Sequence, residues 1–162
     1  MNFQEYLKDA AEQFGVVLTE KMLRQFDLYF QLLVEWNEKI NLTAITEPRE
    51  VAIKHMIDSL SCWDDRYFPP GAAVIDVGTG AGFPGIPLKI FRPDIKLTLL
   101  DSLNKRIKFL QEVADKLVAG KVKGIWNFAT MDLTVSEDVA LENVHLSDSL
   151  QSLAYHINHR ED

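Results

Sequence analysis

The stretch Val74-Ile75-Asp76-Val77-Gly78-Thr79-Gly80-Ala81-Gly82-Phe83-Pro84-Gly85-Ile86-Pro87 decides how this chain is read. Four glycines and two prolines follow directly on an apolar run of strand length, Ala72 to Val77. Glycine permits positive φ and lets another group approach the backbone with no Cβ between them. Leu88-Lys89-Ile90-Phe91 then reads as helix, with Pro84 and Pro87 in its first turn, where they stiffen the turn more than they harm the helix. A strand, a glycine turn and a helix in that order make a cradle for a ligand.

The next element narrows the ligand. Ile95 to Leu100 is a second strand, and it ends at Asp101, 23 residues beyond Gly78. In nucleotide-binding α/β folds an acid at that place bonds the ribose hydroxyls. The dinucleotide fingerprint is G-x-G-x-x-G. Here the spacing is G-x-G-x-G over Gly78, Gly80 and Gly82, with Asp76 two residues ahead of the first glycine. A dinucleotide brings a pyrophosphate to a helix N-terminus. S-adenosylmethionine brings an ammonium instead, which Asp76 suits, and the spacing is typical of methyltransferases that use it.

Working outward, residues 3–14 space Phe3, Tyr6, Leu7, Ala10, Ala11 and Phe14 as a short amphipathic helix ended by Gly15. Thr19 is placed to cap a second helix with the stripe Met22, Leu23, Phe26, Tyr29, Phe30, Leu33 and Trp36. Those aromatics read as core rather than as a base-stacking platform. After the loop Asn41-Leu42-Thr43, Thr46 is expected to cap a third helix that buries Val51, Ile53, Met56, Ile57 and Leu60. Pro69-Pro70-Gly71 is the best boundary in the chain. Beyond Asp101, Ser102 is expected to cap a helix with Leu103, Ile107, Leu110, Ala114 and Leu117 on its apolar side, and Lys121 to Trp126 reads as a third strand. The fold class is therefore α/β: a Rossmann-like parallel sheet behind an N-terminal helical subdomain. The divisions are residues 1–68, helical; 71–126, the cofactor-binding half; and 127–162, an atypical acidic tail. From residue 120 onward seven acidic residues stand against three basic ones, which supplies more than half of the net charge of −7.

That acidity argues against a nucleic-acid coat protein, though not against an enzyme with one basic patch. The single cysteine, Cys62, excludes an internal disulfide and suits a reducing cytoplasm. His145, His156 and His159 show no regular ligand spacing, so no metal is expected. No apolar run approaches membrane-spanning length and no signal peptide is read, so no membrane partner is expected.

Taken together, the residues resemble the bacterial small-subunit ribosomal RNA guanine-N7 methyltransferases, the glucose-inhibited division protein B family. The likeness rests on Trp36-Asn37 with Asn41-Leu42-Thr43-Ala44-Ile45, on Lys54-His55-Met56-Ile57-Asp58-Ser59-Leu60, on Asp76 through Leu88, and on Asp101-Ser102-Leu103-Asn104-Lys105-Arg106. It covers roughly residues 1–119. The resemblance implies S-adenosylmethionine as cofactor, held by Asp76, Gly78, Gly80, Gly82, Phe83, Asp101, Ser102 and Leu103, with Ala129 in a degenerate version of an adenine-contacting R-A-E-like motif. It implies small-subunit ribosomal RNA, or the small subunit itself, as substrate, with His55, Asp58, Lys105 and Arg106 as substrate-side candidates. No catalytic acid–base pair is expected, because guanine N7 is a bare acceptor.

After residue 119 the family's S-R-A motif has no counterpart, and the chain is expected to be shortened or frame-shifted there. Three readings compete: a working methyltransferase, a remnant that binds cofactor weakly or self-associates through an exposed sheet edge, and a nicotinamide-dependent oxidoreductase.

Overall fold

The computed structural model describes residues 1–117, 124–127 and 140–143. Helix α1 (Phe3–Phe14) opens on a capping box, in which the Asn2 side chain accepts from the Glu5 N–H and the Glu5 carboxylate accepts from the Asn2 N–H. It ends at Gly15, in the left-handed region at φ 83°. Helix α2 (Glu20–Ile40) starts at Thr19, whose hydroxyl oxygen accepts from the Met22 N–H. Leu23, Phe26, Tyr29 and Leu33 of its stripe are buried, as their spacing requires, and the Phe30 ring stacks on Phe3 of α1 at 4.3 Å.

The third helical run is three segments: α3 (Pro48–Val51), a π-helical stretch (Ala52–Ile57) and α4 (Asp58–Ser61). Two expectations fail here. Glu47, not Thr46, is the cap, because its longer carboxylate reaches the Glu50 N–H while Pro48 takes the first turn. Ile53 is 43% exposed rather than buried. A π-helix bonds i to i+5, so Ala52 and Ile57 share the buried side and the phase that would have turned Ile53 inward is lost.

Strand β1 (Ala73–Val77), helix α5 (Gly85–Phe91), strand β2 (Lys96–Leu100) and helix α6 (Asn104–Leu117) follow, then β3 (Gly124–Asn127) and β4 (Ala140–Asn143). β1 and β2 pair in parallel from Ala73↔Lys96 to Val77↔Leu100. β3 runs close to β2 and pairs in parallel with β4. β3 overlaps the last three residues of the stretch Lys121 to Trp126 read as a third strand and runs one residue past it; β4, in the stretch read as a tail, does not follow from the pattern. Side chains alternate across a strand. Val74, Leu97 and Leu99 pack against the helices, while Ile75 and Val77 face away, 65% and 73% exposed.

Helix α6 packs on α2. The Trp36 indole N–H donates to Glu112 at 2.9 Å, and the Gln25 amide donates to the Leu117 carbonyl at 3.1 Å. Ser102 is not its cap. The first helical bond runs from the Ile107 N–H to the Leu103 carbonyl, which leaves Leu103 outside the helix and 41% exposed. Phe109 is buried on this helix instead. The turn at Pro69-Pro70-Gly71 is tied to the break before β2, since Asp94 accepts from the Gly71 N–H and is gripped by Arg92, whose guanidinium covers the Trp63 ring at 4.3 Å.

Phe26 has no exposed surface and its cluster reaches from α1 to α6. Phe26→Ala is expected to cost about 3–5 kcal/mol, a large share of the roughly 5–15 kcal/mol that holds such a domain together. Urea unfolding measures it, and a loss under about 1 kcal/mol would place the core elsewhere.

Candidate functional site

Where β1 ends, the backbone turns across the tip of β2. The Gly78 and Thr79 N–H groups both donate to the Leu100 carbonyl, at 2.8 and 3.0 Å. The loop then winds back toward α5 through Gly78, Gly80 and Gly82, all in the left-handed region at φ 73°, 60° and 97°. These glycines have two different surroundings. A Cβ added at Gly78 or Gly80 would meet nothing within 4 Å. One at Gly82 would collide with Ile86 and stand 2.9 Å from the Tyr29 hydroxyl. At Gly85 it would lie 2.6 Å from Leu99 and 2.7 Å from the Asp76 carboxylate. Gly82 and Gly85 therefore serve packing, and Gly78 and Gly80 present backbone to open space.

Two carboxylates hold this shape. Asp76 Oδ2 accepts from the Thr79 hydroxyl at 2.6 Å and from the Gly85 N–H at 2.9 Å, closing the loop on its own strand. Asp101 is 6% exposed. Its Oδ2 accepts from the Gly80 N–H and its Oδ1 from the Leu103 N–H, both at 2.9 Å, with the Arg106 guanidinium 3.6 Å from Oδ2. From below, the buried Tyr29 hydroxyl donates to the Ala81 carbonyl at 2.5 Å. Burial, with Asp76 nearby, pushes the Tyr29 hydroxyl well above the usual tyrosine range, so it stays a donor.

The helical region reaches the loop through a relay of contacts. The Asn37 side-chain oxygen accepts from the Leu42 and Thr43 N–H groups, and Thr43 Oγ1 lies 2.8 Å from His55 Nε2. The His55 ring stacks on Phe83 at 4.5 Å and 18°, and Phe83 also packs on Tyr29. Burial holds the His55 pKa below its usual value; a backbone bond at Lys54 and the charge of Asp58 oppose that shift without reversing it.

The sequence candidates thus fall into groups. Asp76, Gly78, Gly80, Gly82, Phe83 and Asp101 come together in one loop cluster. Ser102 and Leu103 stand exposed beside Asp101. His55 lies under Phe83, while Asp58 is exposed. Arg106 turns back onto Asp101, and Lys105 is exposed. Ala129 and the three C-terminal histidines lie outside the described residues. Among the described residues, no three metal-ligating side chains gather, and no helix is long and apolar enough to cross a membrane. Tyr29 and Thr79 are loop-holding residues that sequence reasoning passed over. The signal for Tyr29 is a lone hydroxyl inside a stripe of otherwise apolar core.

The family model of rRNA small subunit methyltransferase G (GidB) matches residues 22–129. The chain belongs to this family. Among GidB relatives, the protein of Desulforamulus reducens named ribosomal RNA small subunit methyltransferase G is 60% identical over 111 residues, 68% of this chain and 46% of that protein. The same-named protein of Alkaliphilus metalliredigens is 53% identical over 117 residues, 72% of this chain and 49% of that one. That of Clostridium perfringens strain 13 is 51% identical over 125 residues, 77% and 52% respectively. The chain spans about half the length of the curated relatives it matches. A solved structure of RSP, a Rex-family repressor, aligns over 90% of this chain and 96% of that one at 20% identity with a TM-score of 0.31, which carries no argument about this chain.

Tyr29→Phe leaves the Ala81 carbonyl without its donor and is expected to cost about 1–3 kcal/mol in urea unfolding. His55 adds a pH dependence. Its folded pKa is depressed, so the unfolded chain takes the proton first, and stability is full above about pH 6.5 and declines as pH falls through that value. Asp94 and Glu112, also held low, act only near and below their own ordinary values of 3.8 and 4.5. His55→Gln should therefore flatten the stability curve between pH 7 and 5, and an unchanged curve would exclude His55 as its source.

Proposed function

We propose that this chain carries the S-adenosylmethionine-binding half of a methyltransferase acting on guanine N7 of small-subunit ribosomal RNA in the cytoplasm. In this reading residues 1–68 form a helical subdomain and residues 71–126 the cofactor-binding half. The observation that carries it is the open backbone at Gly78 and Gly80 set against the Asp101 carboxylate at the tip of the next strand. Family membership supports the same reading.

The residues fit such a cofactor. A carboxylate has about four acceptor sites, and the Gly80 N–H, the Leu103 N–H and Arg106 account for three at Asp101. The fourth site, or the one held by Arg106, whose 3.6 Å contact is the loosest, would accept from a ribose hydroxyl. Asp76 spends Oδ2 on the loop, and as a carboxylate it would suit the ammonium of the cofactor's amino-acid end. Leu103 offers exposed apolar surface beside Asp101 for a purine face. When bound, the cofactor supplies a methyl group on a positively charged sulfur. Guanine N7 has a free lone pair and no proton to lose, so this chain's residues need only align the base and keep the field favourable. Burial holds the His55 pKa down, which would favour the uncharged ring near the loop. Lys105 is placed to meet RNA phosphate.

A second reading, cofactor binding without transfer, is favoured by the bare apolar face of β1, which a complete parallel sheet would cover.

Calorimetric titration tests the binding claim. S-adenosylmethionine should bind with 1:1 stoichiometry, NAD should give no saturable heat, and Asp101→Asn should weaken binding about tenfold, or about 1.4 kcal/mol. Equal affinity of the variant, or no heat from S-adenosylmethionine, sinks the assignment. Methyl transfer to small subunits lacking the N7 mark then separates the two readings.

A further inference from the structure

The Asp101 carboxylate has partners of two kinds. The Gly80 and Leu103 N–H groups are backbone, fixed by the loop and by the turn into α6, and each donates at 2.9 Å. The third partner is the Arg106 guanidinium, 3.6 Å from Oδ2 and too far for a hydrogen bond. The Arg106 side chain is 34% exposed, and Asp101 is its one ion-pair partner among the described residues. Beside it near the start of α6 stand Lys105 and Lys108, both exposed. They lie three residues apart and so share a helix face. Neither forms an ion pair among the described residues, and no acidic side chain stands in the first turn of this helix.

We infer that Arg106 couples the two ligands of the proposed site: a ribose hydroxyl at Asp101 releases the Arg106 guanidinium, which then joins Lys105 and Lys108 in holding RNA phosphate. Asp101 is 6% exposed, so a hydroxyl reaches its oxygens only by replacing a group that covers them. Displacing either backbone N–H would open the glycine loop or the start of α6. Displacing Arg106 gives up the longest of the three contacts and needs only rotation of a flexible side chain. Paired with Asp101, the guanidinium has its charge neutralised. Released, it offers a planar fork that suits phosphate oxygens. Three free cations then stand where two stood. RNA binding strengthens with each phosphate that a protein neutralises. Cofactor binding therefore tightens RNA binding, and by linkage RNA tightens cofactor binding by the same factor. This inference rests on the cofactor reading and adds to it a dependence of one ligand on the other.

Fluorescence anisotropy with a short single-stranded RNA of mixed sequence tests this on the full chain, with and without saturating S-adenosylhomocysteine. That compound brings the ribose but no sulfonium charge of its own to attract RNA. RNA affinity should rise about fivefold, and the slope of log affinity against log salt should steepen by about 0.7, the value of one added phosphate contact on a single strand. Arg106→Gln should abolish both changes. It should also bind S-adenosylhomocysteine at least as tightly as the parent, because a competitor for Asp101 has gone. Lys105→Gln should weaken RNA binding equally in both states and leave the coupling intact. Unchanged RNA affinity at saturation overturns the inference and leaves the cofactor reading standing. So does an Arg106→Gln chain that is folded by circular dichroism yet binds the nucleoside more weakly, which would make Arg106 a fixed part of the Asp101 cradle. A chain that binds the nucleoside but no RNA in either state also overturns it. A chain that takes up neither S-adenosylmethionine nor S-adenosylhomocysteine in calorimetry sinks the cofactor reading and this inference together.

Discussion

Two carboxylates at the ends of adjacent parallel strands set the geometry on which everything near the loop depends. Asp76 ties the loop to its own strand through Thr79 and Gly85, and Asp101 ties it across to β2 and to the start of α6. A buried carboxylate must be hydrogen-bonded, and Asp101 meets that need with backbone N–H groups from two different turns. Each bond to a charged group is worth about 1.5–3 kcal/mol net, which offsets the entropy of holding a stretch with four glycines in one conformation. The carboxylate that organises the loop does so from a nearly buried position, and of its three partners Arg106, at 3.6 Å, is held most loosely.

The helical region is more than a cover. Asn37 shapes the Asn41–Thr43 loop, Thr43 reaches His55, and the His55 ring carries Phe83. The π-helical stretch places His55 half-buried at that point; an uninterrupted α-helix would turn the same residue through a different phase. Tyr29 fixes the opposite side of the loop through the Ala81 carbonyl. A loop gripped at Phe83 and Ala81 by helices, and at Gly80 and Gly85 by strand-end acids, is held in advance of any ligand. Preorganisation of that kind lowers the cost of binding.

Much of this was legible in the sequence, and the reasons differ by element. α1, α2 and the two β-strands around the glycine segment have clean periods and short turns, so local chemistry decides them. The third helix departs from the pattern at Ile53 because a π-turn leaves no mark in spacings of three and four, and at Thr46 because the neighbouring Glu47 reaches the Glu50 N–H instead. Ser102 has the chemistry of a cap, but the helix opens only at Asn104, so Leu103 rather than Ser102 stands at the cap position. The spacing of Asp101 pointed to a ligand; nothing in it revealed that the carboxylate also bonds Gly80, since that contact spans 21 residues. Tyr29 was placed correctly in the core, yet its hydroxyl partner, 52 residues away, is invisible to periodicity.

The glycine motif itself divides in a way no pattern records. Read as letters, Gly78, Gly80, Gly82 and Gly85 are equivalent. In the fold, a side chain at Gly85 would strike Leu99 and Asp76, so that glycine exists to let α5 lie close to the sheet. Gly82 needs both its positive φ and its lack of a Cβ, because Tyr29 and Ile86 occupy the space. At Gly78 and Gly80 no atom stands in the way, and only the left-handed backbone demands glycine. Packing alone requires glycine at Gly85, and packing together with backbone conformation requires it at Gly82. For Gly78 and Gly80, the backbone conformation turns the loop outward, so that two glycines required by their positive φ also present open backbone next to the strand end that carries Asp101, and the proposed cofactor reading rests on that juxtaposition.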